Sequence, residues 1–180
     1  MNINLTKAKV LVTTSYKYTS KTMSENWLHL MQYANGDEFK HACLELHQDE
    51  SDPQLLYFDF EDIPGVYITE KWICPELFDL IKATAKLEIN EHQAFSSWVN
   101  HYKPELTQEK IKTLLNAFKY NYEGIFSNKY RFGRYYAKSQ LGITEKNNPD
   151  FDFTGYTDHL FDTDSMFLFI DGYVFKNIPF

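Results

Sequence analysis

The chain has 180 residues, 43% of them hydrophobic, 17% aromatic and 24% charged, which describes a globular protein rather than a disordered one. Two cysteines, Cys43 and Cys74, exclude both a disulfide scaffold and a four-cysteine zinc site. The formal net charge is −7 and the pI about 5.3, which argues against direct binding of nucleic acid.

The charge is blocked along the chain. Residues 1–36 carry four bases and one acid, a net of +3. Residues 37–79 carry twelve acids and two bases, a net of −10. Residues 80–140 return to +5 and residues 141–180 to −5. Blocks of this kind create local fields that the net charge does not report, and a carboxylate-rich surface would attract a basic partner.

In chain order, Lys9–Tyr16 opens with an apolar run and reads as a strand. A polar loop follows, then Trp27–Met31, which reads as a second strand. Asn35-Gly36 signals a turn, and Asp37 and Glu38 suit the positive end of a following helix. Phe39, Ala42, Cys43 and Leu46 then form one apolar helical stripe. Residues 48–53 make an acidic loop closed by Pro53, and residues 55–60 read as a third strand.

From Pro75 the period becomes helical. Leu77, Phe78, Ile81 and Leu87 mark one helix, and Ala94, Phe95, Trp98 and Tyr102 mark a second. Ile111, Leu114, Leu115 and Phe118 mark a third, and Tyr130, Phe132, Tyr135 and Tyr136 extend the helical part. Residues 153–161 read as a short helix. Met166–Ile170 and Tyr173–Ile178 flank Asp171-Gly172, a hairpin signal. The expected fold class is α+β in an elongated, segmented layout. Its parts are an N-terminal α+β unit over 1–65, a helical unit over 66–120, and a C-terminal α+β unit over 121–180.

Catalytic chemistry leaves little trace. His41 and His47 stand six apart, on different sides of a helix, where a metal pair needs a spacing of three or four. Cys43 between them belongs to the apolar stripe. The pairs Asp150/Asp152 and Asp162/Asp164 do not continue into a calcium-loop pattern. Asp158-His159 is a sequence neighbourhood, not a catalytic pair. There is no phosphate-binding glycine loop and no nucleophile elbow. The expectation is a non-enzyme without metal or cofactor. The first sixteen residues hold no stretch of signal-peptide length and no segment reaches membrane-span length, so a soluble, cytoplasmic protein is expected.

Three ordered pieces carry a resemblance: the opening VLVTTSYKYTSKTMSENWLHL, the acidic LHQDESDPQLLYFDFEDIPG, and FDFTGYTDHLF followed by DGYVF. In that order and spacing the chain resembles the ArdA antirestriction proteins, which are encoded on plasmids, transposons and phages. The resemblance implies a dimeric DNA mimic that inhibits type I restriction–modification enzymes by occupying the DNA groove of the methyltransferase core. Asp158-His159 stands where the family has an arginine–aspartate pair, so a role carried by that arginine has no residue here. The carboxylates expected to face the partner are Asp37, Glu38, Glu45, Asp49, Glu50, Asp52, Asp59, Glu61, Asp62 and Glu70. At one charge per about 1.7 Å of duplex, the net −10 of residues 37–79 equals roughly 17 Å of DNA. Tyr135, Tyr136, Phe167, Phe169 and Phe175 suggest an apolar surplus near the C-terminus and hence a homodimer joined there. Two other readings stay open: an ArdA-like scaffold turned on another nucleic-acid enzyme such as a CRISPR effector, and a small metal-dependent phage or plasmid enzyme.

Overall fold

The computed structural model describes residues 3–162 and 166–178, and the architecture is α+β. Contacts divide the chain into two compact units, residues 1–115 and 116–180.

The first unit is built on a three-stranded antiparallel sheet of order β2–β1–β3. Its central strand β1 (Lys9–Thr14) is buried at every residue after Lys9, which is what the apolar run Val10–Val12 demands. It stops two residues earlier than the sequence suggests. Thr14 turns its hydroxyl onto the Lys17 amide at 3.1 Å and caps α1 (Ser15–Thr19). Likewise β2 (Trp27–His29) is shorter than read, because Leu30–Gln32 closes into a 3-10 turn.

The helix α2 (Gly36–Leu46) starts where Asn35-Gly36 predicts. Asn35 Oδ1 accepts from the Glu38 amide at 2.9 Å, while the Glu38 carboxylate accepts from the Ala34 amide. Phe39 and Cys43 are fully buried, and Ala42 and Leu46 half-buried, so the apolar stripe is the inner face. Phe39 reaches Tyr57 of β3 (Leu55–Glu61) with ring centroids 5.8 Å apart.

The helices α3 (Leu77–Thr84) and α4 (His92–Tyr102) belong to this same unit, although the sequence reading placed a boundary at residue 65. The link is concrete. The Leu5 amide donates to Ser96 Oγ at 2.9 Å, and that hydroxyl donates to the His92 carbonyl at 2.6 Å. α3 buries six of its eight residues, more than one stripe, and Leu87 lies past its end. A small hairpin of β4 (Ile68–Thr69) and β5 (Trp72–Ile73) was not anticipated, since two-residue strands leave no alternation to read.

The helix α5 (Gln108–Asn121) carries the chain across the division. The second unit holds a sheet of order β6–β8–β7, with β6 (Tyr122–Ile125), β7 (Phe167–Ile170) and β8 (Tyr173–Lys176). Asp171 and Gly172 adopt φ 53° and 91°, the two positive values that a tight two-residue hairpin requires. The strand β6 is a surprise to the sequence reading. It makes β8 central and buries Tyr173, Val174 and Phe175. The helix α6 (Lys129–Tyr136) runs into one wider π-type turn (Ala137–Leu141), and α7 (Phe153–Phe161) matches its expected span.

Phe132, Leu160, Phe167 and Val174 form the core here, with Phe132 and Phe167 ring centroids 4.7 Å apart. The apolar surplus invoked for a dimer is therefore smaller than read from the sequence. Phe167 and Phe175 are buried within the unit, Tyr136 and Phe169 are half-buried, and only Tyr135 of the five is exposed. Among the described residues no helix is long and apolar enough to cross a membrane.

Candidate functional site

The first unit contains all ten candidate carboxylates, eight of them exposed; Glu50 and Asp62 are half-buried. Several are already committed within the protein. Glu38 serves as a helix cap, and Asp62 Oδ1 accepts from the Asn4 amide at 2.7 Å. Lys9 binds Glu61 at 2.9 Å across the β1–β3 pair while its ammonium sits 4.3 Å from the Trp27 ring. Glu45 lies 3.6 Å from the His41 ring nitrogen, one helical turn away.

The tightest cluster surrounds Lys17 of α1. Its ammonium donates to Asp49 at 2.8 Å, lies 3.9 Å from Glu50, and meets His47 Nδ1 at 3.1 Å. Glu50 in turn accepts from the Thr14 hydroxyl at 2.6 Å. An ammonium only donates, so Nδ1 must be an acceptor and the proton of the neutral ring sits on Nε2. That nitrogen is buried without a well-aligned partner, the Val12 carbonyl being the backbone group that favours its proton. Burial first, then the Lys17 charge, pulls the His47 pKa below its usual value. Asp49, hydrogen-bonded by Lys17, is also held below the usual carboxylate range. The basic N-terminal block thus folds onto the acidic segment and offsets part of its charge.

Six of the ten keep no ion pair among the described residues; Glu38 and Asp62 are taken up by backbone amides, which leaves Asp37, Asp52, Asp59 and Glu70. Asp37 and Asp59 stand on different sides of the sheet. Paired residues of antiparallel strands share a sheet face, and faces alternate along each strand. Tyr57 pairs with Val12, but after one extra residue at Phe58 it is Asp59 that pairs with Leu11, and Glu61 with Lys9. The bulge reverses the alternation. Tyr57 therefore faces α2, whereas Asp59 and Glu61 project from the opposite side of the sheet. The stripe that is continuous in sequence is divided in space, with Asp37 and Glu45 on the helix side and Asp59 and Glu61 on the other. Both bases of the acidic segment, Lys40 and Lys71, line a recess of about 390 Å³ together with Asp37, Glu76 and Asp79, so the field there is mixed.

The other singled-out residues separate as well. His41 is exposed, whereas Cys43 and His47 are buried, and burial pushes the Cys43 thiol up to about 12. Asp152 caps α7 by accepting from the Gly155 amide at 2.9 Å, and Asp150 is exposed. Asp158 and His159 are both exposed on α7; Asp162 is exposed, and Asp164 lies outside the described residues. Among the described residues no three His, Cys, Asp or Glu side chains converge as metal ligands.

One feature escaped the sequence reading. From residue 124 to residue 144 there is no acid, and Arg131, Arg134 and Lys138 recur at helical spacing. In the structure they line one groove of the second unit. The signal was legible as Arg-x-x-Arg-x-x-x-Lys, but block sums over residues 80–140 diluted it.

No protein-family model and no curated protein matches the chain.

Proposed function

We propose that the protein is a non-enzymatic antirestriction protein of the ArdA kind, a DNA mimic that binds the basic DNA groove of a type I restriction–modification enzyme, at its methyltransferase core. The target is taken from the sequence resemblance. The observation that carries the electrostatic part is the set of exposed carboxylates without ion pairs, held on a capped helix, a sheet strand and the loops beside them. Duplex DNA presents phosphates on two strands, on two sides of its axis. Two carboxylate groups separated by a thin sheet are compatible with the same groove. Association through many exposed charges is fast and salt-sensitive, and no single carboxylate dominates.

The test is inhibition of a purified type I enzyme by charge-neutralised variants over a salt series. The α2 pair Asp37→Asn/Glu45→Gln and the set Asp52→Asn/Asp59→Asn/Glu70→Gln, on β3 and the neighbouring loops, spare the carboxylates that hold the fold, namely Glu38, Glu50 and Asp62. Each set alone should weaken inhibition partly, and both together steeply, with a flatter salt dependence. A folded five-site variant that inhibits as well as the parent at every salt concentration would end the mimicry reading. Metal-dependent hydrolysis of nucleic acid by the pure protein would end the non-enzyme reading.

A further inference from the structure

The chain uses lysine sixteen times and arginine twice, and both arginines line one groove. Arg131, Arg134, Tyr135 and Lys138 occupy positions i, i+3, i+4 and i+7 of α6 and its π-type extension, so they share a helical face. Ile143 and Phe153 supply apolar wall, and the recess measures about 230 Å³. Three bases meet a single acid, Glu145, which Arg134 already binds at 2.6 Å. The Arg134 guanidinium is further positioned 5.9 Å from the Tyr130 ring and 6.0 Å from the Phe153 ring. Arg131 and Lys138 are exposed and have no acidic partner among the described residues. Tyr135 is half-exposed, its ring anchored on one side by Phe126 at 5.4 Å.

We infer that this groove binds a nucleotide, with the phosphate on Arg131 and Lys138 and the base against Tyr135. The physical reasons are three. A guanidinium presents a planar fork that matches phosphate oxygens in pairs, which an ammonium does not. An exposed aromatic face beside it offers stacking to a flat base. The recess gathers the two unpaired bases beside one apolar wall, in contrast to a flat surface of scattered charges. The Arg134 guanidinium is already engaged by Glu145, so the phosphate falls to Arg131 and Lys138. The inference concerns the second unit only and stands or falls separately from the acidic carboxylates of the first.

The experiment uses the whole chain labelled with nitrogen-15. Two arginines give two side-chain Nε–H resonances, so each can be followed without ambiguity. Adenosine monophosphate, inorganic phosphate, adenosine and a short poly-glutamate peptide are titrated in parallel. The expected result is saturable shifts of the Arg131 signal and of Tyr135 ring signals with the monophosphate, with affinity at least tenfold above that for inorganic phosphate or adenosine alone. Arg131→Gln and Lys138→Gln should each weaken binding about tenfold, and Tyr135→Leu should remove the preference for nucleotide over phosphate while leaving the backbone spectrum intact. Absence of any shift at millimolar nucleotide, equal affinity for inorganic phosphate, or tighter binding of the poly-glutamate peptide would each overturn the assignment.

Discussion

Gly133 sits where α6 crosses α7, and replacing it with alanine sets two known effects against each other. A Cβ at residue 133 would lie 2.0 Å from Thr157 Oγ1, 2.9 Å from Thr157 Cβ and 3.2 Å from Thr157 Cγ2. The hydroxyl cannot simply rotate away, because it donates to the Phe153 carbonyl at 2.7 Å in a buried position, and losing that bond costs about 1 kcal/mol. The Cβ–Cβ distance is independent of rotamer, so the helices themselves must part. Overpacking of this kind costs about 1–3 kcal/mol, whereas alanine gains about 1 kcal/mol in helix propensity. The lost hydrogen bond offsets the propensity gain, so Gly133→Ala should destabilise the second unit by about 1–3 kcal/mol. Thr157→Ala removes the hydroxyl and the methyl but leaves the 2.9 Å contact. The double variant should therefore recover part of the loss, with a coupling of about 0.5–2 kcal/mol. All three tryptophans (Trp27, Trp72 and Trp98) lie in the first unit. Denaturation should accordingly be followed by tyrosine near-UV dichroism and by hydrogen exchange of residues 116–178, with tryptophan fluorescence as the report on the first unit. A Gly133→Ala protein at least as stable as the parent, or strict additivity with Thr157→Ala, would refute the close approach of these helices.

Two further outcomes follow from the titratable groups. His47 is held neutral, with its folded pKa below that of the unfolded chain, so the unfolded state takes up a proton first as pH falls through about 6.5. Stability is present in full above that value and declines below it, by at most about 1.4 kcal/mol per pH unit for one group. Urea denaturation read by tryptophan fluorescence at pH 7 and pH 5.5 should show this slope, and His47→Gln should flatten it; an unchanged slope would show that the ring is not the group responsible. The Cys43 thiol, fully buried with its pKa pushed up to about 12, should resist an aromatic disulfide reagent in the native protein and react at once in denaturant, and prompt native labelling would contradict its place in the core.

The elements that the sequence determined by itself are those whose signals are local. Asn35-Gly36 followed by Asp37 and Glu38 announces the start of α2, because cap and charge act within one turn of helix. The stripe Phe39–Cys43 marks its inner face, and Asp171-Gly172 fixes the terminal hairpin through two positive φ values. The acid-rich segment was equally plain as composition. Its meaning was not, because charge acts through distance in space. Only the tertiary structure brings Lys9 to Glu61 and Lys17 to Asp49 and Glu50, and only the register slip at Phe58 sends Asp59 and Glu61 away from the α2 side. The strand β6 was likewise invisible: four residues, Tyr122–Ile125 with a glycine at 124, are too few and too interrupted to read as a strand until β8 offers them a hydrogen-bonding edge. That pairing, together with the core around Phe132, is what turns Phe167 and Phe175 from an apparent dimer surface into the interior of a unit. Local geometry is written in neighbouring residues, whereas pairing, burial and the local field depend on partners tens of residues away, which one sequence does not specify.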